Sequence, residues 1–167
     1  MTTPFDVSRE VLGHLRSGRP FYRDGFDVSV SHKNGLRLAI AVPAPYRIGI
    51  DIEDLSQSIN TEMFANYLVS ERENATFEKF LSDEALSNKE GLIAFWTMKE
   101  AFYKALDHPL FMDRLYIVGI QDKKIFFEFV EDIQNRLVID EVKKVSASFL
   151  KNGDYFFAQV ILEVEIN

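Results

Sequence analysis

One stretch limits what this chain can fold into more than any other: Phe95-Trp96-Thr97-Met98-Lys99-Glu100-Ala101-Phe102-Tyr103-Lys104-Ala105-Leu106. It contains no glycine or proline and is built largely from residues that tolerate a helix. With Phe95 set at 0° and about 100° per residue, Met98, Phe102, Ala105 and Leu106 fall between about 280° and 20°, a face for the core. Trp96, Lys99, Glu100, Tyr103 and Lys104 take the next arc, roughly 40° to 180°. A buried helix thus carries two lysines, a carboxylate and two aromatics with polar edges along one side. Alone, that cluster also reads as a solvated face with a Glu100–Lys104 pair at i,i+4.

The rest of the chain supplies an α+β pattern. Val7 to Ser17 has apolar residues at helical spacing and ends at Gly18-Arg19-Pro20. Phe26, Val28 and Val30 alternate with Asp27, Ser29 and Ser31, which predicts a half-buried strand ending at His32. Lys33-Asn34-Gly35 turns the chain into a second strand, and Pro43 and Pro45 close that hairpin. Ile48-Gly49-Ile50-Asp51-Ile52-Glu53 is a third strand. Asp51 and Glu53, two apart, project from one face, which leaves Ile50 and Ile52 for the core. Helices are expected over Thr61–Leu68, Ser70–Leu81 and Asn88–Leu106, the second opening with the capping-box pattern Ser70-Glu71-Arg72-Glu73. Four strands follow: Leu115–Ile120, Ile125–Val130, Val142–Leu150 and Tyr155–Glu165. The order predicts a single domain over 1–167 with an antiparallel sheet packed against helices.

Composition narrows the function. The 167 residues are 47% hydrophobic, enough for a real core. Without cysteine there is no disulfide, thiolate metal site or thiol nucleophile. The formal charge of −7 argues against a general nucleic-acid binder. It is unevenly spread: residues 1–50 hold seven Lys/Arg against four Asp/Glu, and residues 51–167 hold twelve against twenty-two. The sequence has neither an apolar run long enough to span a bilayer nor a signal-peptide core near Met1, so a soluble, cytoplasmic protein without a membrane partner is expected.

Two acids on one strand face and a third on a helix beside it suit a hard cation such as Mg²⁺, which takes a few carboxylate oxygens and completes its shell with water and substrate phosphate. Lys99 and Lys104 would face the remaining phosphate charge, and phosphoryl-type transfer needs little beyond positioning and charge neutralisation. Asp-x-Glu on a strand also reads as a surface pair. Walker A, G-x-G-x-x-G and His-Glu-x-x-His patterns are absent, and His14, His32 and His108 lack metal-ligand spacing. A Mg²⁺-dependent nucleotide-binding protein of another kind, with Arg19, His32 and Lys33 on a phosphate, fits the same residues.

Ile48-Gly49-Ile50-Asp51-Ile52-Glu53, followed 43 residues after Glu53 by Trp96-Thr97-Met98-Lys99-Glu100-Ala101-Phe102-Tyr103-Lys104, resembles the two-part signature of the 4′-phosphopantetheinyl transferases. Upstream, Gly18-Arg19-Pro20 and Ser31-His32 resemble the Gly-Lys-Pro and Ser-His-Ser elements of the larger, synthetase-activating subfamily. The resemblance runs from about residue 18 to 160. It implies transfer of phosphopantetheine from coenzyme A to a serine of an acyl- or peptidyl-carrier protein, with release of adenosine 3′,5′-bisphosphate. Carried over, Asp51, Glu53 and Glu100 would hold Mg²⁺. Glu100 would be the general base, and Lys104 would contact the pyrophosphate and ease departure of the leaving phosphate. Lys99 would bind phosphate or adenosine-side groups, while Arg19, His32 and Ser31 would reach the 3′-phosphate. Trp96 would pack the helix on the Asp51 strand, and Glu73 would cap a helix or stand near the acceptor. A family member that binds coenzyme A or a carrier protein without transfer is the alternative.

The chain departs from that pattern at Lys33, which replaces the second serine, where it would touch phosphate or serve the turn. It also departs at Asp107-His108-Pro109-Leu110, where the larger subfamily is glycine-rich. The large type has two similar halves with the site between them. Only the motifs of the second half stand here, so a single half-repeat is expected. A second copy of the chain would then complete the site in a homo-oligomer, a trimer or a dimer.

Overall fold

The structure, a computed structural model, describes residues 13–14, 20–21, 25–106, 114–129 and 142–165. Arg19, the Asp107–Leu110 loop and most of the expected helix over 7–17 lie outside the described residues. The two described positions of that helix, Gly13–His14, form a short strand β1 instead, paired with β2 at Pro20–Phe21. Two longer strands follow, β3 (Phe26–Lys33) and β4 (Leu36–Pro43), joined by the Asn34-Gly35 turn with both residues at positive φ. β1 to β4 form one antiparallel sheet in chain order.

The second sheet begins with β5 (Tyr46–Asp54), and three helices follow it: α1 (Thr61–Leu68), α2 (Asn74–Glu84) and α3 (Asn88–Leu106). Strands β6 (Leu115–Gln121), β7 (Lys124–Phe129), β8 (Val142–Asn152) and β9 (Tyr155–Val164) complete it, in the order β5-β9-β8-β7-β6, antiparallel throughout. The α+β expectation therefore holds. Among the described residues no helix is long and apolar enough to cross a membrane.

Local chemistry explains the helix starts. Asn60 caps α1, its Oδ1 accepting from Met63 N at 3.0 Å. α3 opens with a reciprocal box unnoticed in the sequence: Ser87 N and Oγ donate to Glu90 Oε2 while Glu90 N donates back to Ser87 Oγ. Those bonds hold the Glu90 carboxyl below its usual range. α2 starts at Asn74, four residues later than Ser70, because Ser70 to Glu73 form a turn closed by Glu73 N donating to Ser70 O.

α3 lies across the sheet face made by Phe156, Ala158, Val160 and Leu162 of β9 and is buried on almost every side. Phe80 joins this core against Phe95, Phe149 and Phe156. Only Trp96, Glu100, Tyr103 and Lys104 in the second half of α3 keep partial exposure. The polar arc predicted for this helix is therefore real, except that Lys99, at its edge, is 1% exposed.

The close approach of α3 to β5 depends on Gly49. A Cβ there would stand 1.9 Å from Ala101 O and 2.4 Å from Ala105 N, inside their van der Waals radii. The small residues Ala101 and Ala105 on the facing side let strand and helix backbones touch. So the Gly49/Asp51/Glu53 face of β5 meets the largest hydrophobic cluster, while Ile48, Ile50 and Ile52 on the other face are buried as expected.

β3 also turns polar residues inward. Its polar face turns toward β5, with Ser29 and Ser31 buried; of the apolar face Val28 is buried, whereas Phe26 and Val30 are exposed. β5 is an edge strand whose outward N–H groups need acceptors. Ile48 N donates to Asp27 Oδ2 at 2.6 Å, Ile50 N to Ser29 Oγ at 3.0 Å and Ile52 N to Ser31 Oγ at 3.2 Å. Alternate side chains of β3 thus stand in for a missing backbone ladder and stitch the two sheets together.

Candidate functional site

The contact at Gly49 brings Asp51 of β5 beside the exposed stripe of α3. Asp51 is 5% exposed. Its Oδ1 accepts from Lys104 Nζ at 2.7 Å and from Ser31 Oγ at 3.0 Å, while its Oδ2 is buried with no hydrogen-bond partner. Burial pushes the Asp51 carboxyl above its usual range, against the pull of Lys104 and the Ser31 hydroxyl, with Glu53 adding to the rise. The Glu100 carboxyl is raised as well, by burial first and then by the charges of Asp51 and, more weakly, Glu53, with Lys104 opposing. The strand pair and the helix acid therefore share one electrostatic environment.

Glu53 lies at the rim. Lys33 Nζ stands 2.5 Å from Glu53 Oε2, and Gln57 Nε2 donates to the same oxygen at 3.1 Å. Among the described residues no three His, Asp or Glu side chains are arranged as a ready metal cage. Two of the three acids instead rest on lysines. The donor set nevertheless suits a hard cation: all oxygen, mutually repelling, with one buried carboxylate oxygen unsatisfied.

Lys99 requires a correction. Its ammonium is buried under α1 and α2, donating to Leu68 O at 2.6 Å and pairing with Glu73 Oε1 at 2.9 Å and Oε2 at 3.1 Å. Glu73, equally buried, also accepts from Ser70 N, Ser70 Oγ and Ile117 N. This pair ties α1, α2, α3 and β6 together and has no ammonium left over for a phosphate. Ser31 is also spent, on Asp51 and Ile52, rather than presented to a 3′-phosphate. His32 is exposed at the end of β3, on the strand face opposite Ser31. Trp96 packs on Phe64 of α1, with ring centroids 5.9 Å apart. Sequence reasoning missed the roles of Gly49, Asp27, Ser29 and Gln57. The Gly49-to-Ala101/Ala105 match was the one signal available for any of them.

A sequence model described as the 4′-phosphopantetheinyl transferase superfamily matches residues 47–159. No curated protein matches the sequence. Similar solved structures include a holo-ACP-synthase from Plasmodium yoelii, at 19% identity and TM-score 0.55, covering 72% of this chain and 95% of that one. A holo-[acyl-carrier-protein] synthase from Neisseria meningitidis is 24% identical at TM-score 0.55, covering 70% and 97%. One from Bacillus anthracis, in complex with CoA (3′,5′-ADP), is 20% identical at TM-score 0.52, covering 71% and 96%. At such identities the likeness is one of fold. The matched region starts at Arg47, so β1 to β4 lie outside it, although they supply Ser31 and Lys33 to the cluster.

Proposed function

The chain belongs to the 4′-phosphopantetheinyl transferase superfamily, and from that premise we propose that it moves 4′-phosphopantetheine from coenzyme A to a serine hydroxyl of an acyl- or peptidyl-carrier protein. The observation that carries this reading is the convergence of Asp51, Glu100 and Lys104 at the Gly49 contact, inside the matched region. In the reaction the serine oxygen bonds to the β-phosphorus of coenzyme A. The bond from that phosphorus to the bridging oxygen breaks, and adenosine 3′,5′-bisphosphate leaves.

Glu100 is the proposed base that takes the serine proton. Its raised pKa makes it a better acceptor near neutral pH than an ordinary glutamate, and its partial exposure leaves it reachable. Lys104, 30% exposed, would bind the pyrophosphate and steady charge on the departing phosphate. Asp51 and Ser31 orient that lysine. His32 and Arg19 are assigned to the 3′-phosphate. Mg²⁺, held by Asp51, Glu53 and Glu100, would supply neutralisation of the pyrophosphate charge.

A homo-oligomer, trimer before dimer, completes the proposal. It is supported by the exposure of Phe26, Val30, Leu36 and Leu38 on the β3–β4 hairpin of a single copy. Light scattering that finds an active monomer removes that part alone. The central test incubates the protein with an apo carrier protein, coenzyme A and Mg²⁺ and weighs the carrier. One added phosphopantetheine, lost in Glu100→Ala or Asp51→Ala, is the expected result. Binding of coenzyme A with no mass gain on any carrier favours a non-catalytic binder.

A further inference from the structure

Lys33 sits where β3 turns into β4, yet its ammonium is committed to β5. It contacts Glu53 Oε2 and donates to Gln57 Oε1 at 2.6 Å, and Gln57 donates back to the same Glu53 oxygen, closing a triangle. The turn beside it is pinned by Asn34 Nδ2 donating to Asp54 Oδ2 at 2.7 Å. Lys104 holds Asp51 in the same fashion from the helix side. Three carboxylates therefore face two ammonium groups, while Asp51 Oδ2 stays buried without a partner. Lys33 and Gln57 both engage Glu53 Oε2, so a dication that draws this carboxylate into a shared shell competes with the Lys33 ammonium for its charge.

The two lysines are not equivalent. Lys104 is anchored on a buried helix, with its Asp51 partner 8% exposed at the side chain. Lys33 and Glu53 keep 25% and 17% exposure, at a turn where a flexible, readily hydrated ammonium can move. Gln57 Oε1 offers that ammonium a second acceptor, so release of Glu53 does not strand the charge.

We propose that Lys33 is a resident competitor for the divalent cation: its ammonium pairs with Glu53, gives way when a cation draws that carboxylate in, and so sets metal affinity through Glu53. This rests on the reading of Asp51, Glu53 and Glu100 as the metal-binding acids. Lys33 is a positioning residue in this role, because it acts only through Glu53.

The test titrates Mn²⁺ into the full chain by calorimetry, without coenzyme A or carrier. Lys33→Met is expected to bind Mn²⁺ about fivefold more tightly than the wild type, the scale of a partly exposed ion pair. Lys33→Arg, which keeps the charge, should stay close to the wild type. In a Glu53→Gln background the effect of Lys33→Met should vanish; if it persists there, it is only the loss of a nearby positive charge and the proposal fails. Equal affinity of wild type and Lys33→Met, with binding lost in Asp51→Asn, overturns the role of Lys33 and leaves the metal reading standing. If Mn²⁺ binds none of these proteins, or binds Asp51→Asn as well as wild type, the metal reading falls and this inference with it.

Discussion

α3 carries two lysine–carboxylate pairs less than two turns apart, and they are built to opposite specifications. At Lys99–Glu73 every oxygen of the carboxylate is used: the ammonium, two backbone N–H groups and a serine hydroxyl converge on it, and both charged side chains are buried. At Lys104–Asp51 one oxygen is crowded and the other is buried without a partner, beside a second acid whose proton affinity is raised. A fully satisfied pair is a clamp that loses by any change. A half-satisfied pair holds local free energy in reserve, and a ligand that completes it can recover that energy. Residue type does not separate the two, since both are lysine on acid. The completeness of the surrounding hydrogen bonds does.

The sharpest way to break the contrast is Lys99→Ala, which leaves Glu73 charged and buried. It should cost about 3–5 kcal/mol in urea unfolding, and Lys99→Met with Glu73→Leu should recover a large part. Glu100→Gln probes the opposite pair: transfer onto a carrier should fall about a hundredfold or more with folding intact. Stability should move the other way for this variant. A carboxyl whose folded pKa is raised adds stability below its unfolded value, and that contribution is lost as pH rises through the raised value. Near neutral pH, Glu100→Gln should therefore unfold at no lower urea concentration than wild type, and any advantage should shrink as the pH falls toward the ordinary glutamate range.

Gly49→Ala tests the contact that creates the second pair. The added methyl meets helix backbone, so β5 and α3 must separate at a cost of about 1–3 kcal/mol, with activity falling beyond what stability explains. The smallest effect is expected at Lys79–Asp83, an exposed i,i+4 pair on α2. Lys79→Ala should shift the unfolding free energy by about 0.5 kcal/mol or less. A larger loss there would show that exposed pairs matter as much as buried ones in this protein, and would blunt the comparison.

Much of the architecture was legible in residue spacing. The boundaries of α1, α3 and the β8–β9 hairpin follow from periodicity and turn residues, because these signals are local. The failures share a cause. β3 alternates cleanly, but Ser29 and Ser31 of its polar side are buried along with Val28 because a neighbouring strand has N–H groups to satisfy, and no property of β3 itself records that. Lys99 lies on the predicted polar arc, yet α1 and α2 close over it. Ser31 matched a binding motif by letter, but its hydroxyl is consumed inside the fold.

The amino-acid order by itself determined the elements, the family signature and the placement of three acids and two lysines on one strand and one helix, since pleat and helical pitch fix which side chains share a face. Which of those charges are buried, which are satisfied and which are left open was decided only when distant segments packed together. Burial and hydrogen-bond completeness depend on neighbours far away in sequence, and the charges of Lys99 and Lys104 part company on that account alone.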